Sequence, residues 1–328
     1  MGRLGVSDNA VSLKGCAMGY IVAAFILIEI ASISWMPRWV QLTVTALVGL
    51  GLLLLAAVTL ASLLRRFAKP KVQPFAPPER PNVESLIREA ADEGATELDL
   101  SSSLLESLPE GLSKLAGLKS LSLYENLLAS VSEIGQLADL ESLILSDNSL
   151  DALPPEFGNL TKLTELCLSR NALEEFPNAI LGLTGLRELE LDGNLLKAIP
   201  SSIGKLSNLE MLNIGENELS EIPPEIGDLT NLTFLAVDRN HLTSLPAEIG
   251  NLTEPTSLFV SDNQLSSIPP EIGKLKGLEM LNLAHNPLTS LPPEVLALPE
   301  TVRFVVDKRR AEAIPELRDR PNVKVSDC

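Results

Sequence analysis

The chain has 328 residues, 45% of them hydrophobic and only 4% aromatic, with a formal net charge of −17. The charge is divided: residues 1–83 carry eight Lys/Arg against three Asp/Glu, a balance of +5, while residues 84–328 carry eighteen against forty, a balance of −22. So acidic a region repels phosphate backbones and argues against a nucleic-acid partner, and three scattered cysteines, Cys16, Cys167 and Cys328, argue against a disulfide framework or a zinc site.

In chain order, a short N-terminal segment, 1–16, precedes two apolar runs. Residues 17–36, interrupted by Glu29, and residues 40–64, without a charge, are each long enough to cross the roughly 30 Å of a hydrocarbon core as helices. Pro37 and Arg38 between them predict an antiparallel hairpin. Arg3 and Lys14 precede the first run and Arg65, Arg66, Lys69 and Lys71 follow the second, which predicts both termini on the cytoplasmic side of a two-span membrane protein. The rival reading is a cleaved signal peptide ending near Ser32, Ile33 and Ser34, which would leave only a few residues before the second run. Residues 65–81 are basic and contain Pro70, Pro74, Pro77, Pro78 and Pro81, a composition that suits an extended spacer.

Residues 82–94 predict a capping helix, with Asn82 as its N-cap and Val83, Leu86, Ile87 and Ala90 on one apolar face. Residues 95–310 are repetitive. Asn126, Asn148, Asn171, Asn194, Asn217, Asn240, Asn263 and Asn286 are separated by one step of 22 and six of 23 residues, each inside the frame LxxLxLxxNxLxxLPxxIGxL. Ser103 takes the Asn place in an earlier copy beginning at Ala95, and Arg309 takes it in a decayed last one. One coil per repeat follows: the LxxLxL stretch forms a short strand with its leucines inward, stacked on its neighbours as a parallel sheet lining a concave face. Asn ends the strand, and its amide is placed to bond backbone groups bared by the turn as a structural ladder. The Pro-containing stretch returns on the convex side, where no ladder donor is needed. Phe304, Val305 and Val306 predict a last strand, and residues 311–328 a C-terminal cap.

Phrases such as IPPEIGDLTNL and LTSLPPEV make residues 95–310 resemble intracellular leucine-rich repeats of the Ras-suppressor type. The resemblance implies an α/β leucine-rich-repeat solenoid, here preceded by a transmembrane helical hairpin. It also implies a binding module, because relatives that are enzymes carry separate catalytic domains for which this chain has no spare residues. Secreted members of the wider class commonly close their ends with disulfide-bonded caps, and the paired cysteines for such caps are absent from this sequence.

Function is therefore expected on the outward places of the strands. Counting from the leading Leu of each frame, the third and fifth places hold Met211, Phe234, Ala236, Phe259 and Met280 across four successive coils, and so many large apolar groups on an exposed strand face suit a protein-binding hot spot. Mutual packing of these side chains is the bland alternative. Earlier coils present Glu165, Glu188, Glu190 and Asp192, an acidic stretch suited to steering a basic flank of the partner. No cofactor, metal or small-molecule substrate is called for: His241 and His285 lie in different registers of different repeats. Cys167 is read as a plain small residue pointing outward. Asn159, Asn231 and Asn251 lie in Asn-Leu-Thr sequons, which matter only for a lumenal solenoid. An enzyme is not expected; a membrane-tethered protein-binding scaffold is, with an extracellular or lumenal receptor of reversed topology as the second reading.

Overall fold

The computed structural model describes residues 82–317, 320 and 322–326. The N-terminal segment 1–16, the spans expected at 17–36 and 40–64 and the spacer 65–81 lie outside the described residues. No helix among the described residues is long and apolar enough to cross a membrane.

Helix α1 (Val83–Glu93) begins where Asn82 accepts hydrogen bonds from the backbone N–H groups of Glu84 (3.1 Å) and Ser85 (3.4 Å), and ends at Gly94, whose φ of 63° suits a residue without Cβ. Its apolar stripe buries Ile87 and Ala90, with Val83 and Leu86 partly buried, against the core of the first coil. Eleven short strands follow: β1 (Glu97–Asp99), β2 (Ser120–Ser122), β3 (Ser142–Ile144), β4 (Glu165–Cys167), β5 (Glu188–Glu190), β6 (Met211–Asn213), β7 (Phe234–Ala236), β8 (Ser257–Phe259), β9 (Met280–Asn282), β10 (Arg303–Asp307) and β11 (Val323–Ser326). They form one parallel sheet in strictly sequential order. The register repeats coil after coil, third place against third and fifth against fifth, as in Met211 to Phe234 and Asn213 to Ala236. The middle leucines, such as Leu166, Leu189 and Leu212, are fully buried in a single continuous core.

Opposite the sheet, the Pro-containing stretches fold as short 3-10 helices, for example Pro155–Asn159, Pro224–Asp228 and Pro270–Lys274, giving way to the short helix α2 (Pro293–Leu296) near the end. Their tight stacking explains the glycine of the repeated Ile-Gly pair. A Cβ on Gly227 would collide with the backbone oxygen of Glu248, and Gly135 and Gly273 face similar contacts at 2.5 Å. Gly158 has more room, its nearest neighbour being the Ala179 carbonyl at 3.5 Å.

Each Asn joins two coils. The side-chain NH2 of Asn194 donates to the carbonyls of Leu191 (2.9 Å) and Asp192 (3.4 Å) in its own coil and of Leu168 (3.0 Å) in the previous one, while its oxygen accepts from the Leu173 N–H (3.1 Å) of that previous coil. Asn126, Asn148, Asn171, Asn217, Asn240, Asn263 and Asn286 repeat this pattern. The residue before each Asn adopts left-handed backbone: Glu125, Asp147, Arg170, Gly193, Glu216, Arg239, Asp262 and His285 all have φ between 51° and 68°. That conformation turns the strand sharply enough to swing the Asn amide back beneath it, and it costs most side chains about 1 kcal/mol.

The C-terminal end departs from the expected pattern in two respects. Arg309, expected in the Asn place of a turn, lies instead inside helix α3 (Lys308–Ala313). Asp307 takes over part of the turn's work, accepting from the N–H of His285 (3.1 Å) and capping α3 through the N–H of Arg310 (3.1 Å). Residues 311–328 also include the additional strand β11, paired in parallel with β10. Arg320 ties down this end. Its guanidinium donates to the carbonyls of Leu296 (2.6 Å) and Leu298 (2.7 Å) and stacks 4.6 Å from the centre of the Phe304 ring.

Candidate binding face

Third- and fifth-place side chains flank a core leucine on each strand, so both point to the face of the sheet away from the core. They are unequally accessible. Met211, Phe234 and Met280, all third-place residues, are half-buried, while the fifth-place Ala236 and Phe259 are only 4% and 9% exposed. This corrects the expectation that both places are solvent-facing. Strands about 4.8 Å apart bring fifth-place side chains into lateral contact, so Phe259 is enclosed between Ala236 and Asn282. The rings of Phe234 and Phe259 also meet, with centroids 5.2 Å apart and planes tilted by 39°. Part of the apolar cluster is thus mutual packing, leaving Met211, Phe234 and Met280 as its presented edge.

The acidic stretch divides in the same way. Glu165 and Glu188, adjacent third-place residues on β4 and β5, are half-buried, and the Ser142 hydroxyl donates to Glu165 (2.8 Å). Glu190, in a fifth place between Cys167 and Asn213, is buried, against the expectation of an outward carboxylate free to steer a partner. Burial, reinforced by the charge of Asp192, raises its pKa to about 7. Cys167 is equally enclosed: burial first, then Glu190 and Glu165, push its thiol well above the ordinary range, which makes it a weak nucleophile. Asp192 lies just past β5 and is half-buried, accepting from the Ser169 hydroxyl (2.5 Å) and the Asn213 amide (3.0 Å), with burial raising its pKa. Asp238, in the equivalent place two coils on, is raised by burial to about 6.

Beyond β9 the face changes sign. Arg303 stands opposite Met280 in the third place of β10, Lys324 stands opposite Val305 in β11, and Lys308 follows β10. Arg303 and Lys308 are exposed and Lys324 half-buried. No motif singles out these three residues, although carrying the frame one copy past Asn286 places Arg303 beside Met280.

Leucine-rich-repeat family models match residues 93–150 and 138–196 (leucine rich repeat), 178–260 (leucine-rich repeat region) and 256–297 (two copies), so that together they span most of the solenoid. No curated protein sequence matches the chain. Among solved structures, a leucine-rich-repeat protein of Leptospira interrogans is similar at 31% identity and a TM-score of 0.59, over 70% of this chain and 66% of that one. The ectodomain of the Arabidopsis thaliana membrane receptor kinase GASSHO1/SCHENGEN3, solved in complex with CASPARIAN STRIP INTEGRITY FACTOR 2, is similar at 31% identity and a TM-score of 0.57, covering 68% of this chain and 29% of that one. The Arabidopsis receptor kinase HAESA, in complex with the peptide hormone IDA and the co-receptor SERK1, is similar at 32% identity and a TM-score of 0.58, covering 66% and 38%. The chain thus spans about two thirds of the Leptospira protein and well under half of either receptor chain. Repeat spacing, the sequential parallel sheet, the Asn bonding between coils and the matching family models agree: the chain is a leucine-rich-repeat protein.

Proposed function

We propose that the chain is a non-enzymatic, membrane-tethered scaffold that captures a protein partner on the open face of its repeats and recruits or regulates signalling proteins there. The observation that carries this reading is the row of half-buried Met211, Phe234 and Met280 over β6 to β9, large apolar side chains presented on a rigid sheet whose core is supplied by other residues. Glu165 and Glu188 beside them suit a basic flank on the partner. The tether rests on the apolar runs 17–36 and 40–64, and the cytoplasmic placement on their flanking cations. The repeat phrases support the intracellular Ras-suppressor type. A photo-cross-linking residue at position 234, compared with one at position 205 among the 3-10 helices, tests the face in native membranes. Adducts specific to 234 that vanish with Met211→Ser are expected; equal labelling at 205 sinks the proposal.

The second reading, a receptor with an extracellular or lumenal solenoid, is favoured by the ligand-bound plant receptor kinases among its structural neighbours, one of them solved as an ectodomain. Asn159, Asn231 and Asn251 are exposed and separate the two. Expressed in a glycosylating host, a cytoplasmic solenoid leaves all three sequons unmodified, whereas glycans on any of them establish the reversed topology.

A further inference from the structure

The two outward rows of the sheet change character in a fixed order along the stack. The third-place row begins with Glu97 on β1 and runs through Glu165, Glu188, Met211, Phe234 and Met280 to Arg303 on β10. The fifth-place row runs from Asp99 through Glu190 to Ala236 and Phe259, and ends at Lys324. Together these rows carry five carboxylates, four of them accessible and Glu190 buried, and no cation over β1 to β5, no charged side chain over β6 to β9, and two cations over β10 and β11. In a solenoid whose net charge is strongly negative, such an ordered reversal is a directional feature of the surface. The apolar middle is also narrow. Third and fifth places on one strand are about 7 Å apart, so the strip is one polypeptide wide, while its extent across four strands is about 15 Å.

We propose, on the basis of the binding reading above, that the open face takes an extended polypeptide segment crossing the strands in a fixed order. Its basic residues lie over β4 and β5, its large apolar residues over β6 to β9, and its acidic residues over Arg303 and Lys324. Charge complementarity selects this occupant. A uniformly basic segment would meet repulsion at β10 and β11, and a uniformly acidic one would meet it at Glu165 and Glu188. The stack also sets a length. Five strand steps from β5 to β10 span about 24 Å, which an extended chain at about 3.3 Å per residue covers in about seven residues. The basic and acidic groups of the segment are therefore separated by roughly that number of positions.

The test uses the full-length chain in detergent and synthetic peptides of one composition in which a basic, an apolar and an acidic block are permuted. Both orderings with the apolar block central should bind at least tenfold more tightly than the four with it at an end. Replacing the acidic block by Ser should weaken binding to the wild type at least fivefold and leave binding to an Arg303→Ser, Lys324→Ser double variant unchanged. Equal binding of all orderings, or an equal loss in the double variant, overturns the proposed order. If Phe234→Ser still abolishes that order-independent binding, the open face remains the binding surface and only the direction is lost. If no ordering binds, or if binding survives Phe234→Ser, both the face and the order fall together.

Discussion

Replacing Asn217 by Ala isolates the strength of the bonds between coils. Asn217, 6% exposed, donates to the carbonyls of Leu191 (3.0 Å), Ile214 (3.2 Å) and Gly215 (2.9 Å), and its oxygen accepts from the N–H of Leu196 (3.0 Å). The carbonyls are covered twice: Leu191 is also reached by Asn194 (2.9 Å), Ile214 by Asn240 (3.0 Å) and Gly215 by the N–H of Gly193 (3.1 Å). The deletion therefore chiefly orphans one buried donor, the Leu196 N–H, at about 1–3 kcal/mol. Taking about 2 kcal/mol, amide exchange of the coils flanking residue 217 should accelerate about 30-fold, at about 1.4 kcal/mol per factor of ten, while distant coils change little because repeats interact with nearest neighbours. Asn217→Asp adds a harsher element. It keeps an acceptor for Leu196 but turns an anion toward three carbonyl oxygens, so it should destabilise more than Ala. Exchange mass spectrometry on the full-length chain orders the three proteins. An Asp variant milder than the Ala variant would refute the assignment of the amide donor bonds.

Further outcomes follow from the packing and charge of the solenoid. Gly227→Ala forces a methyl group against the Glu248 carbonyl and should destabilise by about 1–3 kcal/mol, whereas Gly158→Ala, whose methyl meets only an ordinary van der Waals contact, should be neutral within about 0.5 kcal/mol; urea unfolding compares them. Glu190 binds a proton more tightly when folded, its pKa rising from an ordinary 4.5 to about 7, so its contribution to stability is fully present below about pH 4.5 and is lost as pH climbs through 7. That loss is worth about 3 kcal/mol, and Glu190→Gln should flatten the profile between pH 5 and 8 by roughly this amount and raise stability at pH 8; an unchanged profile would show that Glu190 is not the buried proton site. Phe259→Ser should cost about 3–5 kcal/mol in folding because the ring is enclosed, while Phe234→Ser at the presented edge should cost clearly less, and melting curves of equal depression would contradict the unequal accessibility of the two places.

The Asn spacing was readable because one side chain satisfies several backbone groups of two coils at once and few other residues can, so its period survives in the letters. Alternation along LxxLxL likewise revealed which side chains face away from the core. It could not reveal how far neighbouring strands close over them: the burial of Glu190, Cys167 and Phe259 depends on the side chains standing opposite in the adjacent strands. The left-handed place before each Asn likewise carries no consistent residue type. Gly193 is its only glycine among eight copies, and charged residues such as Arg170 and Glu216 mask the backbone requirement. The C-terminal closure was the least legible part, since Asp307 and Arg320 occur once and no period points to them.

All eight Asn side chains reach toward the coil that precedes them, never toward the one that follows. A coil is therefore finished only when its successor has arrived, and a ribosome delivering this chain from its N-terminus always exposes one incomplete turn at the growing tip. At the last coil Asp307 and Arg310 stand in for a successor's backbone, the first by taking the His285 N–H and the second by donating to the Leu288 carbonyl (3.1 Å). Repeats can thus be duplicated or lost within the stack at small cost during evolution, whereas a coil appended after residue 307 would have no ladder to join until the terminator itself had been moved.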